Sequence, residues 1–129
     1  MLSAGSALTA RKAHCMRYMM LISSVPAPPP PELMEAIAKL GEKRTADGSM
    51  VMNGGLLPLS MGARVKVSRG QLKVHDGPFT ESKEVIGGFA IFDFATREEA
   101  MAAAVEFMEV HRQHWPDWEG ECEMRPMMG

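Results

Sequence analysis

The sequence predicts an α+β sandwich with the element order β-α-β-β-β-β-α-β. Three observations carry this. Two stretches with apolar residues at helical spacing, one beginning at Pro31 and one after Thr96, each stand between short apolar runs. Between them, two stretches alternate polar and apolar residues around Arg69-Gly70, the pattern of a hairpin with one wet face. The 129 residues and 14.1 kDa fit a single domain, and a chain that is 46% hydrophobic and 23% charged can fill one core.

The elements follow in order. Arg17–Ser23 (RYMMLIS) is short, apolar and bounded by turn formers, which predicts a buried first strand. Pro26 and Pro28–Pro31 then exclude a ladder and stiffen the connection. The proline run also resembles a polyproline ligand, but a stiff strand-to-helix linker accounts for it more simply. Pro31 suits the first position of a helix, where a missing N–H costs nothing. Leu33, Met34, Ile37 and Leu40 make an apolar stripe over residues 31–46, and Asp47-Gly48 ends it.

Met50–Asn53 reads as a short strand leading into Gly54-Gly55. Residues 63–68 (ARVKVS) and 71–75 (QLKVH) form the hairpin, with Val65, Val67, Leu72 and Val74 expected to face inward. Residues 85–94 (VIGGFAIFDF) give the longest strand pattern and a central strand. Thr96 and Glu99 make a capping box for the second helix. Its expected stripe is Ala100, Met101, Ala104, Val105 and Met108, with Trp115 near the end and Pro116 as terminator. Residues 119–125 alternate again, with Cys122 and Met124 inward.

Two βαβ units thus flank an inserted hairpin. Right-handed crossovers place both helices on one face of a mostly antiparallel sheet, a ferredoxin-like arrangement. The other sheet face has no cover within one chain. Left wet it would be a large apolar patch, so a homodimer is expected.

Composition narrows the function. A net charge of −2 and a pI near 6.1 argue against a broad basic face for nucleic acid. No apolar run approaches the ~18–20 residues of a membrane span, so no membrane partner is expected. Two cysteines, Cys15 and Cys122, cannot make a disulfide scaffold or a four-cysteine zinc site, and a reducing cytoplasm is the simplest home. Residues 1–15 (MLSAGSALTARKAHC) contain no acid and little periodicity. They read as a poorly ordered extension before a domain over 16–129. The 13 methionines read mainly as flexible core filling, with Met20, Met34, Met52, Met101, Met108 and Met124 inside apolar patterns. No nucleotide, flavin or phosphate-loop motif occurs, and no cofactor is expected.

The most distinctive stretch is His75-Asp76-Gly77-Pro78-Phe79-Thr80-Glu81-Ser82-Lys83-Glu84, followed by Gly87-Gly88-Phe89. Asp76 can accept turn N–H bonds, Gly77 allows positive φ, Pro78 fixes the exit, and Phe79 can anchor the loop in the core. Gly87 and Gly88 remove side chains where a backbone or ligand comes close. Asp76 or Glu84 could move a proton, and Lys83 could hold an anionic substrate. Gly77, Pro78, Phe79, Gly87 and Gly88 would line the cleft, with the first helix as its other wall. The simpler use of Asp76 is as a turn carboxylate, and Lys83 and Glu84 can be read as a solvated pair.

The run DGPFTESKEVIGG resembles the signature of DGPF-domain proteins in the YCII-related (YciI-like) superfamily. The resemblance extends over residues 16–129 through RYMMLI, Gly54-Gly55-Leu56 and the Glu123–Pro126 ending. It implies a dimeric α+β barrel but no settled activity. Relatives include a dehydrochlorinase-type enzyme, and DGPF proteins are often linked to extracytoplasmic-function sigma factors. In the YciI-like branch a histidine on the first helix pairs with an aspartate. The first helix here, PELMEAIAKLGEKRTA, has no histidine, so that pair does not carry over.

His111 and His114 lie three apart at the end of the second helix and are weak metal candidates beside Glu109, Glu119 or Glu121. Placement against the helix dipole explains them as well. Trp115 and Trp118 read as packing around Pro116, and Cys122 as a small buried hydrophobe. Two functions follow: a cofactor-independent enzyme of lyase, isomerase or dehydrohalogenase type on a small anion, or a non-catalytic binding or regulatory module linked to a sigma factor. The position of Asp76 and Lys83, in a buried pocket or in water, separates them.

Overall fold

The computed structural model describes residues 15–79 and 84–129. The expected extension, apart from Cys15, and Lys83 lie outside the described residues. The strands are β1 (Met16–Ser24), β2 (Met50–Gly55), β3 (Arg64–Ser68), β4 (Gln71–His75), β5 (Val85–Phe94) and β6 (Gly120–Pro126). The helices are α1 (Pro31–Ala46) and α2 (Arg97–His114), with a short 3-10 turn over Leu59–Met61. Four strands form an antiparallel sheet in the order β2-β5-β1-β6, and β3-β4 is a separate two-stranded hairpin. With the hairpin set aside, this is the ferredoxin-like order, the first and last βαβ units interleaved.

The α+β class and the element order are those the sequence predicts, and the helices begin and end where its punctuation places them. Pro31 opens α1 without needing a bond, and the Asp47 N–H returns to the Lys43 carbonyl. At α2 the Thr96 hydroxyl oxygen accepts the Glu99 N–H at 3.1 Å and donates to the Glu99 carboxylate at 3.1 Å.

Alternation along the strands sorts the two faces. Tyr18, Met20 and Ile22 of β1 point the same way as Ala90, Phe92 and Phe94 of β5, and all are buried. Ala100 and Ala103 of α2 close the core over Tyr18, Met20, Phe92 and Phe94, with Cys122 and Met124 half-buried at its edge. Small side chains on α2 let the helix approach the sheet closely. The helices are tied to each other by Glu106, which accepts from Arg44 Nη2 at 2.6 Å and from Lys43 Nζ at 3.1 Å.

Three expectations are corrected. Val65, Val67, Leu72 and Val74 do not face inward: the hairpin stands off the four-stranded sheet, and they are 66–74% exposed. The phase of α2 is rotated from the expected stripe. Ala103 and His111 are buried, whereas Met101 and Val105 are exposed. Met34 on α1 and Met52 on β2 are also exposed, so methionine fills the core at Met20 and, in part, Met124 but not throughout.

Candidate functional site

β4 delivers the chain into the DGPF loop at His75. Gly77 takes φ +105°, which a side chain would resist, and the Gly77-Pro78 peptide is cis. Phe79 does not enter the core. It is half-buried against the hairpin, with its ring 4.7 Å from that of His75 and the Arg64 guanidinium 5.4 Å above it. His75 Nε2–H donates to the Pro78 carbonyl at 3.1 Å, closing the loop onto its own strand. Histidine, phenylalanine and arginine thus hold the loop to the hairpin.

The loop borders a concave surface of about 650 Å³ lined by Arg64, Val65, Lys66, Lys73, Val74 and His75. Arg64 stands opposite His75, and Lys66 opposite Lys73. One face of the hairpin is therefore a two-by-two array of basic or imidazole side chains, and the other carries the four apolar ones. The alternation of 64, 66, 73 and 75 with the apolar positions carries this signal in the sequence.

Asp76, Gly77, Pro78 and Glu84 are exposed. Asp76 makes no hydrogen bond to a described residue, and among the described residues the turn is held by Gly77 and the His75–Pro78 bond. Gly88 has a structural cause: a Cβ there would meet the Gly54 carbonyl at 3.3 Å, so β2 and β5 approach closely. A Cβ on Gly87 would meet nothing within 4 Å, which leaves open space at the strand's start. The structure thus brings Phe79 and the Pro78 carbonyl against Arg64 and His75 of the hairpin, whereas Glu84, Gly87, Gly88 and α1 do not line the concavity. The proposed contribution of Lys83 falls outside the described residues.

The helix histidines part company. His111 is buried, its Nδ1–H donating to the Phe107 carbonyl at 2.9 Å and its ring 4.7 Å from Trp118 and 4.9 Å from Phe107. Burial pushes this imidazole below its ordinary value, outweighing the carbonyl bond that favours its charged form. His114 is exposed. Among the described residues no three histidine, cysteine or acidic side chains are grouped to hold a metal ion. Burial raises the Cys122 thiol, which keeps it protonated and a poor nucleophile.

One buried charge pair was not foreseen. Arg17 on β1 faces Asp93 on β5, with Nε–Oδ1 at 2.9 Å and Nη2–Oδ2 at 3.0 Å. It lies on the sheet face turned away from the helices, where Met19, Leu21, Phe89 and Ile91 are half-buried. No described helix is long and apolar enough to cross a membrane.

A family model for the YCII-related domain matches residues 16–112. The chain is also 28% identical over 95 residues to an uncharacterised protein of Rhizobium meliloti (strain 1021), covering 74% of this chain and 73% of that one.

Proposed function

This chain belongs to the YCII-related domain family, and on that footing we propose that it works in the cytoplasm as a homodimer that takes up a small anionic molecule at the DGPF loop and transfers a proton on it without an organic cofactor. The observation that supports this reading is the clamp of Phe79 between His75 and Arg64, two residues that line a positively charged concavity next to the DGPF loop. Positive charge fixed in advance favours both an anionic substrate and the negative charge that develops when a carbon acid loses its proton. Asp76 takes that proton, Glu84 is the second acid–base group, and Lys83 holds the anion. A lyase, isomerase or dehydrohalogenase step is the chemistry such a group supports.

The test is proton exchange. A panel of small cyclic and acyclic carboxylates is incubated with the protein in deuterated water and followed by NMR. At least one should lose its α-proton signal, and Asp76→Asn should slow that exchange by roughly 100-fold. Exchange that survives Asp76→Asn unchanged contradicts the assignment.

The second reading is a non-catalytic binding module, regulatory beside an extracytoplasmic-function sigma factor. The exposure of Asp76 and Glu84 in a single chain favours it. Saturable carboxylate binding with no exchange in the unaltered protein selects this reading.

A further inference from the structure

We propose that the β3–β4 hairpin carries a binding face for a phosphate-bearing small molecule, centred between Lys66 and Lys73. The first observation is a repulsion built into the ladder. Lys66 and Lys73 are directly opposite, which places their Cβ atoms about 5 Å apart, and like charges so placed destabilise a strand pair. The next pair, Arg64 and His75, lies on the same face. Residues 64–75 hold four lysines and arginines and no acid, in a chain whose net charge is −2. Among the described residues the ion pairs take their carboxylates from other segments, and none reaches this hairpin. A multivalent anion would turn the repulsion into attraction.

The second observation is shape. The basic residues, together with Val65 and Val74, line a concavity of about 650 Å³, within the range of small-molecule sites. The third is preorganisation. Arg64 is held over the Phe79 ring, and His75 is fixed by its bond to the Pro78 carbonyl. That leaves the remaining guanidinium N–H groups of Arg64 for a ligand. Arginine and lysine at this spacing match the several oxygens of a phosphate. The inference does not rest on proton transfer at Asp76.

The probe is inorganic pyrophosphate, added to the full-length protein at low ionic strength and followed by amide shifts in NMR. Amides of residues 64–75 should shift saturably, and added potassium chloride should weaken the effect. The double variant Lys66→Gln/Lys73→Gln should lose affinity roughly tenfold or more. Lys66→Glu is the decisive companion. It creates an attractive cross-strand pair, so it should raise the melting temperature while abolishing the pyrophosphate shifts. Shifts that persist in Lys66→Glu overturn the site. So does the absence of saturable shifts, or citrate binding as tightly as pyrophosphate. A short oligonucleotide that binds where pyrophosphate does not also overturns it, in favour of a nucleic-acid surface.

Discussion

His111 shows how a single side chain sets a pH dependence. It is held neutral between Phe107 and Trp118, and its pKa in the folded chain lies below the ordinary value. The unfolded chain binds a proton near pH ~6.5 that the folded chain resists. Stability is therefore full above that pH and declines as the pH falls from there toward the folded value. Melting curves between pH 8 and pH 5, about the range of histidine titration, should show a decline that His111→Phe reduces. Asp93 makes a second prediction. Asp93→Ala removes two hydrogen bonds to a buried guanidinium, and should cost on the order of 3 kcal/mol in denaturant unfolding. Asp76→Ala should cost less than ~0.5 kcal/mol, since Asp76 is exposed and bonds to no described residue. A large loss there would return Asp76 to the role of turn support.

At the scale of elements, local chemistry explains most of what the sequence revealed. Asp47-Gly48, Arg69-Gly70, Thr96 and Pro116 each force an end or a start by backbone geometry, so boundaries fell within a residue or two of the structure. Thr96→Ala should therefore destabilise the fold by about 1 kcal/mol, as loss of the cap at α2 leaves its first N–H groups without a partner. Orientation was less legible. In α2 the large apolar residues Met101 and Val105 marked the wrong side, because close helix–sheet packing selects the small Ala100 and Ala103 instead. The Arg17–Asp93 pair spans 76 positions, and nothing local announces it. The DGPF loop was legible as a turn, but its attachment to the hairpin through Arg64 needed the register of β3 and β4.

At the scale of the whole molecule, one chain leaves too much apolar surface in water. Val65, Val67, Leu72 and Val74 form one face of the hairpin, and Leu56, Leu57 and Met61 are exposed on the segment leading to it. Exposed apolar side chains grouped in this way mark an interaction surface, and a second copy offers a self-complementary cover. The proposed site depends on it, because pairing would dry the ground around an otherwise exposed Asp76. Val67→Asp/Leu72→Asp should separate the copies while leaving the four-stranded sheet folded by circular dichroism. The most direct measurement is the mass in solution by light scattering at micromolar concentration. The account predicts a species of about twice 14.1 kDa. A stable, well-folded species of 14.1 kDa would contradict it.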